Sequence, residues 1–430
     1  MDIKVKLRLY DLVRSDDNIE SLRKLLSQGL DPNLKYSHGN TLLHAAAKST
    51  EDNVEIVQEL LKAGADVNKS NSLLCEPLHI AVIYRKRKVV EALLKSKIHV
   101  NNKDAFGKTA LHYSVNNSFP FFVPFSDIPL HARVPDPWIV KKLLDHKDID
   151  VNEKNVSSET PLMQAVKDKH LEIVKLLLNK KSRLDASNEY GQTALHMALI
   201  QEDPCPYIVV LLLLKRATLL KMNIFNETPL NIIINSKSLY SASICLKVIA
   251  LSYCIKGLLI NKIKRTPELL QYLNRCYDEI NRMNGDVIAN ELTVFKFLSK
   301  SAPTSGFHNP ILQIYKPVVE RIITGLYPEY FCYILHRISK SNLLAVLKVV
   351  IVEKHCEKNC DVKDCKKEHP TAFSELIRIN LLSDYLSSLD IFRLIIIFSS
   401  VKIDEYMLNF REHDCYLTDS WEEYPDGHFY

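Results

Sequence analysis

Apolar and polar positions along the chain follow two markers that keep phase with each other. The first is a short run at Thr41-Leu42-Leu43-His44, Glu76-Pro77-Leu78-His79, Thr109-Ala110-Leu111-His112, Thr160-Pro161-Leu162-Met163, Thr193-Ala194-Leu195-His196 and Thr228-Pro229-Leu230-Asn231, with spacings of 35, 33, 51, 33 and 35 residues. The second is a paired leucine at Leu60-Leu61, Leu93-Leu94, Leu143-Leu144, Leu177-Leu178 and Leu212-Leu213, preceded by β-branched pairs such as Ile56-Val57 and Ile173-Val174. Thr followed by Pro is a helix N-cap and a first helical position, where the missing Pro amide costs nothing, so a helix starts at each run. Small residues behind it, such as Ala45, Ala46 and Ala81, allow neighbouring helices to approach closely. The Ile-Val-x-x-Leu-Leu spacing then predicts a second helix whose apolar stripe covers the first. Gly64-Ala65-Asp66-Val67-Asn68 ends that helix and leads into a hairpin.

A helix pair of this size cannot bury its own apolar face, so its stability comes from stacking on copies of itself, and the end copies are expected to be irregular. The first copy keeps Leu22, Leu25, Leu26, Gly29 and Asn33 without the Thr-Pro-Leu-His run; the seventh keeps Thr228-Pro229-Leu230 and then blurs. Each copy resembles the ankyrin repeat. The resemblance implies an all-α chain: an ankyrin-repeat solenoid of about seven repeats with short β-hairpin fingers over residues 1–260, followed by a C-terminal helical domain. It also implies that His44, His79, His112 and His196 are scaffold residues in local hydrogen-bond networks, and that the repeats bind a target protein.

Because the apolar slots are committed to stacking, recognition is left to the finger tips and the ends of the first helices. The free positions there are Tyr36, Leu73, Leu74, Tyr84, Phe106, Tyr190 and Phe225, aromatic and aliphatic side chains of the kind that anchor interfaces. Several of them can equally pack on the adjacent finger. The 51-residue spacing marks an insertion between a helix ending near Val115 and one starting near Trp138. It holds Phe119, Phe121, Phe122 and Phe125 among five prolines, too many for a helix. Such a loop either folds back onto the solenoid or meets a partner. Arg85-Lys86-Arg87-Lys88 reads as a solvated turn between two helices, with Arg85 a candidate contact residue and nuclear import or phosphate contact the alternatives.

Beyond Asn261 the markers stop. Longer amphipathic helices are expected over 268–284, 311–324, 329–339 and 342–353, making 261–353 a helical region. A Cys/His-rich loop, 354–370, follows: Cys356, Cys360, Cys365 and His369 are four ligands of the type that zinc binds tetrahedrally, or else free thiols in an exposed loop. Residues 371–410 are similar to the F-box-like end of ankyrin proteins from poxviruses, intracellular bacteria and parasitoid wasps. That similarity rests on Glu375-Leu376-Ile377 and on Ser383-Asp384-Tyr385-Leu386-Ser387-Ser388-Leu389-Asp390-Ile391; the Leu-Pro opener of the family is missing. It implies docking to Skp and cullin subunits of a ubiquitin ligase through Leu386, Leu389 and Ile391. A polar aromatic tail closes the chain over 411–430.

Composition narrows the function classes. The net charge of +5, from 56 basic and 51 acidic residues, is too balanced for a non-specific nucleic-acid binder, and no aromatic platform accompanies the basic run. The apolar runs 207–214 and 394–398 are shorter than the roughly 20 residues of a membrane span. No secretory leader is recognised at Met1–Lys6, and most of the ten cysteines stand singly among apolar residues, so an intracellular, cytoplasmic protein is expected, with nuclear import possible through the basic run. With ten glycines and no phosphate loop, HExxH pair or nucleophile elbow, the chain reads as an interaction scaffold and adaptor rather than an enzyme, and no cofactor besides zinc suggests itself. The alternative is a zinc-binding or nucleic-acid-contacting module near 355–370, with the solenoid as accessory.

Overall fold

The computed structural model describes residues 19–49, 54–115, 134–201, 204–236, 238–253, 255–264, 266–289, 292–294 and 315–323, together with Val346, Leu347 and Val350. It divides into two compact units, 1–237 and 238–430.

The first unit is a two-layered stack of short helices. Its elements are α1 (Ile19–Ser27), α2 (Leu42–Ala47), α3 (Val54–Lys62), α4 (Pro77–Ile83), α5 (Arg87–Leu94), α6 (Ala110–Val115), α7 (Pro137–Leu144), α8 (Pro161–Lys167), α9 (Leu171–Asn179), α10 (Ala194–Ile200), α11 (Pro206–Leu214) and α12 (Pro229–Ile234). The even-numbered helices α2 to α12 pack each on the next in one layer, and the odd-numbered helices α1 to α11 do the same in the other. Within a repeat the two layers meet, α2 on α3, α4 on α5 and so on. This explains a difference in burial. Every residue of α2 and of α4 is buried, since these helices have neighbours on both sides and behind, whereas α3 buries only Ile56, Val57 and Leu60. A helix apolar all round belongs in the inner layer, an amphipathic one in the outer.

The helix starts are built as the sequence implies. Thr160, Thr193 and Thr228 accept the backbone N–H of Met163, His196 and Asn231 respectively, and Pro stands at the first position of α4, α8 and α12. After the insertion, Asp136 caps α7 by accepting the N–H of Trp138, and the helix begins at Pro137, one residue before the expected Trp138.

The second unit contains α13 (Leu239–Ser252), α14 (Lys256–Ile263), α15 (Pro267–Gly285), an antiparallel pair β1 (Val287–Ala289) and β2 (Leu292–Thr293), and α16 (Lys316–Ile323). Expected as an amphipathic helix over 268–284, α15 buries Leu269, Leu273, Cys276, Ile280 and Met283 against α13 and α14. Although the solenoid is expected over 1–260, α13 runs for 14 residues without a terminal glycine and groups with α15 rather than with the repeat stack. Arg321 of α16 donates to Asp286 at 2.7 Å and to the Val287 carbonyl at 3.2 Å, tying that helix to the strand pair. The helix expected over 329–339, and all but three residues of the one over 342–353, lie outside the described residues.

Candidate protein-binding surface

The connections between repeats form a row of six fingers, at residues 36–40, 71–75, 104–108, 155–159, 188–192 and 223–227. Each closes in the same way, its first N–H donating to its last carbonyl at 2.8–3.0 Å, from Tyr36 N to Asn40 O through Asn223 N to Glu227 O. In the last five an Asn or Asp at the first position braces the turn from inside. Asn71 Oδ1 accepts from Leu73 N and Cys75 N, Asp104 Oδ1 from Phe106 N and Lys108 N, and Asn223 Oδ1 from Phe225 N and Glu227 N. Short polar side chains that hydrogen-bond their own turn are suited to this work. No regular strand forms in the fingers; the expected β-hairpins are turns of this kind.

Successive fingers are joined to one another. Ser72 N donates to His38 O, Ala105 N to Leu73 O, Val156 N to Phe106 O, Glu189 N to Ser157 O and Ile224 N to Tyr190 O, at 2.9–3.2 Å. The row is therefore one continuous ladder of backbone. Its pitch demands a left-handed residue near each tip, two residues before the helix N-cap: Gly39, Leu74, Gly107, Ser158, Gly191 and Asn226 have φ between 57° and 71°. At Gly107 an added Cβ would come within 2.9 Å of Val156 N, so the close approach of the next finger also excludes a side chain there.

The scaffold histidines set the fingers on the helices. His44 Nδ1 accepts the Thr41 N–H at 3.1 Å, which leaves Nε2 to donate to the Cys75 carbonyl of the next repeat at 2.9 Å. His79, His112 and His196 repeat the arrangement, reaching the carbonyls of Asn102, Glu159 and Glu227 at 3.1–3.2 Å. Burial pulls His44 and His112 down to about 4 and lowers His79 and His196. A neutral ring with one accepting and one donating nitrogen is what the geometry requires. At Met163 the slot is filled by a buried thioether side chain in place of the imidazole. A second set of bridges comes from Asn33, Asn68 and Asn101, whose amides span to the backbone of the following repeat, as in Asn33 Nδ2 to Gly64 O at 3.1 Å and Asp66 N to Asn33 Oδ1 at 2.7 Å.

Of the residues expected to face a partner, Leu74, Tyr190 and Phe225 are exposed at 53%, 47% and 60%, while Tyr36, Leu73 and Phe106 are half-buried. Two expectations are corrected. Tyr84 is buried, with Lys48 Nζ of the preceding repeat 5.7 Å from its ring centroid. Arg85 and Lys86 are buried too, so the turn is not solvated, and the exposed half of the basic run, Arg87 and Lys88, opens α5. Arg85 donates to the carbonyls of Val82, Tyr113 and Val134, and Arg87 forms a bidentate pair with Asp136 at 2.6 and 2.9 Å. These arginines hold the chain where it returns from the insertion; Tyr113, Val134 and Asp136 lie 28 to 49 residues away from them, which the sequence does not reveal. Val156, Ile224, Met222 and Leu220 are missed exposed apolar residues, at 69%, 61%, 58% and 50%. The signal was present: Val156 and Ile224 occupy the finger position next to that of Tyr190 and Phe225.

Phe119, Phe121, Phe122 and Phe125, the zinc-ligand candidates Cys356, Cys360, Cys365 and His369, and the docking candidates Leu386, Leu389 and Ile391 lie outside the described residues. Among the described residues no group of three His, Cys, Asp or Glu side chains could hold a metal ion, and no helix is long and apolar enough to cross a membrane.

A family model described as "Ankyrin repeats (3 copies)" matches residues 9–104, 53–123 and 130–223. The nuclear factor NF-kappa-B p105 subunit of Gallus gallus is 31% identical over 169 residues, covering 39% of this chain and 15% of that protein. Ankyrin repeat protein OPG189 of Variola virus is 22% identical over 302 residues, covering 67% of this chain and 52% of that protein. The chain thus spans about half the length of these curated relatives or less. Among solved structures, the ankyrin repeat domain of Bcl-3, a member of the IkappaB protein family, aligns over 55% of this chain and 96% of that one, with 23% identity and a TM-score of 0.44. The matched span covers the finger-and-helix stack as far as α11, and the chain is an ankyrin-repeat protein.

Proposed function

We propose that the chain is a protein-binding scaffold, without catalytic activity, whose target lies along the row of fingers. One observation carries the reading: Leu74, Val156, Tyr190, Ile224 and Phe225 stand 47–69% exposed on fingers locked into a single backbone ladder. Apolar side chains held out on a rigid frame are pre-organised for an interface, since little conformational entropy is left to lose on binding. The test is affinity capture from cell extract with the intact chain and with a Tyr190→Ser, Phe225→Ser double variant. Loss of a dominant partner at an unchanged melting temperature is expected; equal recovery by both proteins overturns the reading.

A finer form of the proposal makes the scaffold a substrate adaptor of a cullin-type ubiquitin ligase, acting in the cytoplasm or nucleus. What favours it is the order of parts, repeats first and the F-box-like stretch at Glu375–Ile391 last. Replacing Leu386 and Ile391 by Asp would place charge in an apolar docking face. That variant is expected to keep the target and lose the Skp and cullin subunits in co-precipitation. Recovery of the target by the wild-type chain with no ligase subunit leaves a plain scaffold.

A further inference from the structure

The fingers are not chemically uniform. Along the second to fourth repeats the row carries Lys35, Lys69 and Lys108 beside Leu73, Leu74 and Phe106; further on, Lys154 and Lys221 are turned to the carbonyls of Ser187 and Asp185, and exposed Glu189 and Glu227 join the row. None of the first three lysines forms a salt bridge among the described residues, whereas Lys103 is paired with Glu153 at 2.6 Å. The carboxylates of the same stretch are engaged or turned inward. Asp31 and Asp66 accept the N–H of Asn33 and Asn68 at the finger bases, and Glu76 and Asp104 are buried. Lys108 is half-buried, with its Nζ 5.0 Å from the ring centroid of Tyr113, and burial lowers its pKa.

Leu74 stands out within this group. At its position in the six fingers φ is positive, and three fingers use Gly there, one Ser and one Asn. A leucine with φ of 57° is strained, and at 53% exposure its side chain finds no core to compensate. Both backbone and solvent disfavour Leu at this point, and strain of this kind concentrates where a ligand is held. The neighbouring finger is fixed against it, Ala105 N donating to Leu73 O at 2.9 Å.

We infer that the fingers of the second to fourth repeats form a site for an acidic protein segment with aliphatic anchors, in which Leu74 meets an apolar side chain while Lys69 and Lys108 meet carboxylates. The inference rests on the reading of the finger row as the target-binding surface and adds the chemistry of the target. Aliphatic anchors and three separated lysines favour a polypeptide over a nucleic acid, which would stack on exposed aromatics.

The test measures fluorescence anisotropy of the full chain with four labelled probes: a short synthetic peptide of alternating leucine and aspartate, its lysine-for-aspartate counterpart, its serine-for-leucine counterpart, and a single-stranded oligonucleotide. The leucine–aspartate peptide is expected to bind about tenfold more tightly than each of the others and to weaken as salt is raised from about 50 to about 300 mM. Leu74→Gly is expected to reduce that affinity about tenfold without lowering the melting temperature, because relief of the left-handed strain offsets the added chain entropy, so that lost binding cannot be lost folding. Lys69→Glu with Lys108→Glu is expected to remove the preference for aspartate over lysine. Equal binding of the two charged peptides, tightest binding by the oligonucleotide, or full affinity in Leu74→Gly overturns the inference. Should the peptides fail while the Tyr190 and Phe225 substitutions still abolish capture, the inference falls and the scaffold reading stands; should those substitutions leave capture intact, the scaffold reading falls as well.

Discussion

Glu76 occupies the helix start where the five equivalent positions carry Thr. Its side chain is buried, with Oε1 accepting from Asn102 Nδ2 at 2.5 Å and Oε2 left without a partner. Burial, reinforced by the charge of Asp66 and opposed by the Asn102 hydrogen bond, pushes its pKa up to about 7. A carboxyl raised above its unfolded value makes the folded state the stronger proton binder. Its penalty is absent below the unfolded pKa, grows as pH rises from there to about 7, and is then constant. Glu76→Thr should therefore stabilise the chain more at pH 8 than at pH 4, by on the order of 3 kcal/mol. Urea titrations of both proteins at the two pH values check this, and a gain equal at both would show that the carboxyl is not the cause. That Glu76 departs from the repeat was readable in the sequence. Its burial was not, because the neighbour that hydrogen-bonds to it, Asn102, lies 26 residues on, just before the next finger.

Among the elements, α9 shows how far the pattern of apolar positions goes. Ile173, Val174, Leu177 and Leu178, the residues of its two sequence markers, are the four that it buries. Leu177 is wholly buried in a helix that meets α7, α8 and α11. Leu177→Ala is expected to cost about 2–5 kcal/mol, and an unchanged thermal midpoint would contradict this packing. Helix existence and phase were legible because spacing and stacking obey one rule: each repeat buries the same stripe. The inner-helix ends were less legible. Tyr84 and Arg85 look like surface residues along the chain, yet the stack covers both, and Arg85 finds carbonyl partners in α6 and at the return of the insertion.

For the molecule as a whole, a repeat stack couples each copy mainly to its neighbours, and α13 belongs with α15 rather than with that stack. The damage from Leu177→Ala should thus stay within residues 1–237. Hydrogen exchange is expected to show faster amides in α8 to α11 and unchanged protection in α15; a parallel loss in α15 would mean that the two units unfold as one. The sequence by itself determined the repeat, its period, the helix pairs and the scaffold histidines, since these follow from local capping chemistry and from a stripe that every copy must bury. Only the tertiary structure decided which finger residues stand out, which basic residues are buried, and that Leu74 is held in a left-handed turn. Those properties depend on the neighbouring finger, and the hydrogen bonds that place it join residues some 30 to 50 positions apart.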